Sequence, residues 1–179
     1  GLDFFRRVTQ LQQQCGHPGA VVSNGLQTNG TLLDDPFAAH LAEYRFLVGI
    51  SLDGPPDLHN RFRVTCDGNG SYAAVRAGLE ALRRQRVEFN ALTLVSQANV
   101  RAPERVYRHL RDALGICHHQ YIECVECDAA GAPLPFAVAA AEWGEFLCRI
   151  FDLWHAGDTR RVSVRLFDAL LGKLLDGAE

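Results

Sequence analysis

Ser51, Asp53 and Arg63 are the residues of this chain whose types and spacing best suit chemistry. The apolar run Phe46–Ile50 ends abruptly in Ser51 and Asp53. Gly54-Pro55 then turns the chain into a short segment carrying His59 and Arg63. A hydroxyl, a carboxylate and a guanidinium gathered at one strand end can hold a small molecule with polar and anionic parts. Arginine suits a carboxylate because its planar fork matches two oxygens at once. In parallel α/β proteins ligands bind at the C-terminal ends of the strands, which is where these residues fall. Gln27 and Asn29 end the preceding apolar segment in the same way. If the two strands are neighbours, Gln27, Asn29, Ser51 and Asp53 face one mouth. For Asn29 taken alone, followed by Gly30, ordinary turn chemistry is the simpler reading.

The elements that would position these residues can be read from the hydrophobic periods. Leu2, Phe5, Val8, Leu11 and Cys15 mark one buried helix face, stopped by Gly16 and Pro18. A strand is expected from Ala20 to about Gln27. Asp35 then reads as an N-cap with Pro36 opening a helix whose inner face is Phe37, His40, Leu41 and Tyr44. Phe46–Leu52 is the next strand, followed by a long loop over 53–70. Tyr72, Val75, Leu79 and Leu82 predict a helix. Phe89–Val95 predicts a strand, 103–114 a helix and 119–125 a strand. Trp143, Phe146, Leu147, Ile150, Phe151 and Trp154 form a stripe that predicts a buried helix with both tryptophans in the core. A short β-branched piece at 162–164 precedes a last helix with Leu166, Leu170, Leu171, Leu174 and Leu175. Strands alternating with helices imply a parallel sheet. Too few strands are present to close a barrel, so an open or partial barrel is expected, opened by a helix as though leading strands were lost.

Composition narrows the function classes. The chain has 179 residues and a net charge of −3, from 18 Lys+Arg against 21 Asp+Glu. That balance argues against nucleic-acid binding as the main role. No apolar run is long enough for a membrane span and no signal peptide is visible, so a cytoplasmic location without membrane association is expected. There is no Met, so Gly1 is not expected to be the natural start. The six Cys do not resemble a secreted disulfide framework and are read as thiols. Cys124 and Cys127 have metal-ligand spacing, but a zinc site needs two further ligands and none is evident. His59 reads as a loop-ordering or solvent-exposed histidine rather than a base.

Gln27-Thr28-Asn29-Gly30-Thr31, and Val48-Gly49-Ile50-Ser51-Leu52-Asp53-Gly54-Pro55 with His59 and Arg63, resemble the anaerobic sulfatase-maturating family of radical S-adenosylmethionine (SAM) enzymes. The likeness continues through Val87-Glu88-Phe89-Asn90, Tyr121-Ile122, Val125-Glu126, Glu142–Leu147 and Arg161–Asp168. It implies a partial (β/α) TIM-like barrel with parallel strands and outer helices. It also implies that Ser51 and Arg63 contact SAM, with Arg63 on the methionyl carboxylate. A backbone position near Val125 would lie against the adenine, and Asp53, Gln27 and Asn29 would line the mouth. The implied reaction is reductive cleavage of SAM at a four-iron–four-sulfur (4Fe–4S) cluster. The deoxyadenosyl radical takes a hydrogen from a Cys or Ser of a sulfatase polypeptide, and oxidation gives formylglycine. The cluster supplies the hard chemistry, the protein binding and orientation. An electron donor such as flavodoxin or ferredoxin is implied as a second partner.

The departures from the family pattern are large. Its Cys-x3-Cys-x2-Cys cluster motif, its glycine-rich SAM segment and its Cys-rich SPASM region are not in this sequence. Asn60 stands where Asp is common and Glu123 where Pro is common. The expectation is one domain over 1–179, the central part of such a barrel, with 126–179 as a helical portion leading towards an auxiliary-cluster domain. Cluster ligands would lie outside the chain, and the chain alone would be inactive. The competing readings are a radical SAM/SPASM maturase of another peptide, a non-catalytic SAM-binding module, and an unrelated α/β enzyme using Asp53 and His59 as acid–base groups.

Overall fold

The computed structural model describes residues 1–17 and 19–177, with the backbone alone for Asp176, so the reading of Pro18 as a helix stop lies outside the described residues. The elements are α1 (Leu2–Cys15), β1 (Gly25–Thr28), α2 (Asp35–Glu43), β2 (Leu47–Ser51), α3 (Pro56–His59), α4 (Tyr72–Arg84), β3 (Phe89–Val95), α5 (Pro103–Arg108), β4 (His118–Glu123), α6 (Ala140–His155), β5 (Ser163–Val164) and α7 (Arg165–Asp176). The strands form one sheet in the order β1-β2-β3-β4-β5. Strand order that follows chain order, without a reversal, is the progression of a barrel rather than of a doubly wound sheet. The expected α/β class is what the structure has. The loop expected over 53–70 contains α3 and an antiparallel bridge between Val64 and Gly70. Two compact units are distinguished: Gly1–Ile50 with Ala73–Phe89, and Ser51–Tyr72 with Asn90–Glu179.

In the first unit β1 and β2 pair in parallel, from Gly25↔Leu47 to Thr28↔Ile50. The strand expected from Ala20 starts at Gly25 because β2 itself starts at Leu47. Residues 20–24 overrun the end of that partner, and Val21 is 93% exposed. Asp34, not Asp35, caps α2: its Oδ1 accepts the Phe37 N–H at 2.9 Å. Asp35 instead pairs with Arg84 of α4, Nε–Oδ1 2.9 Å and Nη2–Oδ2 3.1 Å. Only Thr9 of α1 is fully buried; the expected face is half-exposed, and Phe5 packs edgewise on Phe46 and tilted on Phe37. Gly78 lets α4 approach the chain so closely that a Cβ there would stand 2.3 Å from the Gly30 carbonyl oxygen.

Two helix-to-strand junctions, α2 to β2 and α4 to β3, are built alike. Arg45 and Arg86 adopt left-handed backbone conformations, φ 50° and 56°. The next residue bonds back into the helix each time, Phe46 N–H to the Leu41 carbonyl and Val87 N–H to the Leu82 carbonyl, both at 2.9 Å. That pattern satisfies carbonyls orphaned at a helix C-terminus, usually with glycine at the left-handed position.

In the second unit β3, β4 and β5 pair in parallel, with His119 opposite both Ala91 and Val164. Tyr107, Leu110, Phe146, Ile150 and Trp154 form the core around β4. Trp154 donates its indole N–H to the Val162 carbonyl at 2.7 Å. Trp143, expected in the core, is only half-buried and stacks on Phe146. After α5 the chain winds into one π-helical turn, His109–Ala113. Arg111 in that turn meets the buried Asp158, which also accepts the Tyr107 hydroxyl at 2.9 Å.

Candidate functional site

Asp53, two residues past β2, is the hub of the second unit. Arg63 approaches it side-on, with Nε 2.5 Å from Oδ2 and Nη2 3.1 Å from Oδ1. The Leu94 N–H of β3 donates to the same Oδ1 at 2.9 Å, and Asn99 Nδ2 donates to the Asp53 carbonyl at 2.9 Å. Gly54 follows with φ +124°, a conformation that an L side chain rarely adopts. The turn it makes allows Pro55 and Pro56 to start α3, which carries His59 inward.

His59 is 0% exposed, so the solvent-exposed reading is overturned and the loop-ordering one holds. The Asp53 N–H donates to its Nδ1 at 3.2 Å. Nδ1 is therefore the acceptor, and in the neutral ring Nε2 carries the proton toward Ser71 Oγ, 3.1 Å away. Ser71 in turn donates to the Arg63 carbonyl at 2.9 Å. Burial pushes the imidazole pKa down to about 4; the Asp53 carboxylate opposes this, and the charges of Arg63 and His109 add to it. A ring held neutral, with both nitrogens used and no exposed surface, is unsuited to proton transfer with a substrate. This counts against the acid–base reading of Asp53 and His59.

Ser51 is 8% exposed, and its hydroxyl has no hydrogen-bond partner among the described residues. Val125, just past β4, is 68% exposed. Gln27 and Asn29 belong to the first unit, both exposed. Asn29 Oδ1 accepts from the Thr31 N–H at 3.2 Å and the Thr31 hydroxyl at 3.0 Å, the turn chemistry expected of it. Cys124 is buried and Cys127 exposed. The sequence reading missed Ser71 and Asn99. A serine immediately ahead of a helical period was the available signal for Ser71; nothing local marked Asn99, whose contact with Asp53 spans 46 residues.

A cysteine-type anaerobic sulfatase-maturating enzyme of Clostridium perfringens is 34% identical over 99% of the chain. The solved structure of native anSMEcpe with bound AdoMet and Kp18Cys peptide matches 100% of the chain with a TM-score of 0.89 and 32% identity.

The chain is a homologue of anaerobic sulfatase-maturating enzymes.

Both branches of these maturating enzymes are represented, since a serine-type enzyme of Bacteroides thetaiotaomicron is 32% identical over 95% of the chain. The chain spans about half the length of the maturating enzymes it matches, 48% of the Clostridium protein. The structural match is consistent with the expected partial TIM-like barrel. No protein-family profile matches the chain. Among the described residues no helix is long and apolar enough to cross a membrane.

Proposed function

We propose that this chain takes part in oxidising a Cys or Ser of a sulfatase polypeptide to formylglycine, and that its own share is to hold S-adenosylmethionine. The observation that carries this reading is the close match of the fold to a maturating enzyme with AdoMet and a peptide bound.

The residues fit an amino-acid-bearing nucleoside. Arg63 has two of its nitrogens on Asp53 and is 26% exposed, so Nη1 remains for a carboxylate. The Ser51 hydroxyl at the end of β2 has no hydrogen-bond partner among the described residues and can serve a polar atom of a ligand. In this reading Arg63 takes the methionyl carboxylate, Ser51 a polar atom of the same ligand, and the backbone near Val125 the adenine. Asp53 orients Arg63. Gln27 and Asn29 enter on the family resemblance. The described residues do not fit a 4Fe–4S cluster, since no three His, Cys, Asp or Glu side chains among them are grouped for a metal. When bound, SAM would supply the hydrogen-abstracting radical after one-electron reduction through an iron–sulfur cluster that these residues do not hold, with flavodoxin or ferredoxin as the electron source. What this chain's residues do is fix the nucleoside's carboxylate end.

The test is anaerobic incubation of the full-length protein with SAM, reduced flavodoxin and sulfatase-derived peptides bearing Cys or Ser, read by mass spectrometry. Conversion of either residue to the aldehyde is expected. SAM binding without conversion of these peptides would replace this reading with a maturase of another peptide or a non-catalytic module. Absence of SAM binding would end it altogether.

A further inference from the structure

We propose that His59 and Ser71 are positioning residues that fix the direction in which Arg63 presents its guanidinium to the ligand. The proposal rests on the SAM-holding role of Arg63 above.

Asp53 alone cannot set that direction. It fixes one edge of the guanidinium, but four side-chain torsions separate that edge from the backbone, and Arg63 lies outside any helix or strand. The arrangement removes this freedom by fixing the main chain as well. The Arg63 N–H donates to the His59 carbonyl at 3.1 Å. The Arg63 carbonyl accepts from the Ser71 N–H at 3.1 Å and from the Ser71 hydroxyl at 2.9 Å. Ser71 Oγ is fixed by His59 Nε2, and His59 Nδ1 by the Asp53 N–H. The bonds form a closed circuit, Asp53–His59–Ser71–Arg63–Asp53. Both ends of the arginine are thereby referred to the same point past β2.

A second set of contacts closes the circuit from outside. The Asn60 side chain occupies the space where a Cβ on Gly70 would sit, 2.2 Å from its Cγ. Asn60 Oδ1 accepts the Tyr72 N–H at 3.0 Å. Asn60 thus braces both chain neighbours of Ser71. His59, at 0% exposure, presents no surface to a ligand and acts through its bonds to Asp53 and Ser71, the two residues that fix Arg63. Pre-orientation of this kind raises affinity by reducing the ordering cost of binding.

A merely structural role would affect all ligands alike, so the probes are SAM and 5′-methylthioadenosine, which shares the adenosine but has no methionyl carboxylate. Both are titrated calorimetrically into the full chain and its variants. Ser71→Ala is expected to weaken SAM about 10-fold and leave methylthioadenosine unchanged. Ser71→Thr, which keeps the hydroxyl, restores SAM binding. His59→Asn, whose side chain can accept from Asp53 N–H but is too short for Ser71, follows Ser71→Ala; should it fail to fold, the Ser71 pair decides. Arg63→Ala weakens SAM about 100-fold. If Arg63→Ala changes nothing, the SAM-holding role falls and this proposal with it. If Arg63→Ala weakens SAM but Ser71→Ala does not, or weakens both probes equally, the positioning role is overturned and the SAM-holding role stands.

Discussion

Arg63 meets Asp53 through Nε and Nη2, so the carboxylate occupies one edge of the guanidinium and the opposite edge is left outward. The same carboxylate accepts the Leu94 N–H. Asp53→Ala therefore removes two partners at once, and we expect it to cost about 2 kcal/mol of stability. Asp53→Asn keeps an oxygen for Leu94 and should cost less than half as much, while still weakening SAM binding. Urea unfolding and SAM titration of the two variants would separate the parts.

Acidification should destabilise the protein before its carboxylates titrate. Burial lowers both His59 and His119 from 6.5 to about 4. The unfolded chain then binds protons that the folded chain refuses, so stability is full above pH 6.5 and falls as pH drops towards 4. Each ring contributes on the order of 2 kcal/mol to that fall. Below that window the lowered carboxylates, such as Asp35 beside Arg84, add their own loss. Unfolding free energies across pH 4–7 for the wild type and His119→Gln should show a shallower slope in the variant, as measured by denaturant titration.

Two helical glycines should respond oppositely to alanine. Gly144 in α6 has nothing within 4 Å of a Cβ, so Gly144→Ala should stabilise by about 1 kcal/mol through helix propensity. Gly78→Ala gains the same propensity but drives its methyl against the Gly30 backbone at 2.3 Å. Steric cost outweighs propensity there, and a net loss of about 1–3 kcal/mol is expected. Thermal melts of the two single variants give the comparison directly.

Asp158 is 3% exposed between Tyr107 and Arg111, with Arg161 nearby. Burial raises its carboxyl pKa, but the bonds from Arg111 and Tyr107 outweigh this and hold it below the usual range. Asp158→Asn removes the buried one of the two carboxylates that Arg111 meets and neutralises the acceptor of the Tyr107 hydroxyl, and a loss of about 3 kcal/mol is expected. Asp112→Asn, at an exposed partner of the same arginine, should cost under about 1 kcal/mol. Equilibrium unfolding of both variants tests the difference.

The periodic elements were legible because their signal is local. Tyr72, Val75, Leu79 and Leu82 marked α4, and Phe89–Val95 marked β3 to the residue. The misreadings share a non-local cause. The start of β1 depends on where β2 begins. Whether Asp34 or Asp35 caps α2 depends on Arg84, 49 residues away, which engages one of them. A spacing of four through Val106, Leu110 and Leu114 suits an α-helix and a π turn equally, and only the chain path at 109–113 distinguishes them. At the site, Ser51, Asp53 and Arg63 could be named from their types. The burial of His59 could not, because nothing in a non-periodic segment records which side of it a partner will cover.

Arg45 and Arg86 stand where the backbone turns left-handed, and this limits how the gene can drift. A β-branched residue at either codon would strain the turn, so valine, isoleucine and threonine are closed to both positions, whereas glycine and asparagine are open. Substitution at 45 and 86 should therefore follow backbone geometry more than charge, and two codons 41 apart will share one narrow spectrum of accepted changes.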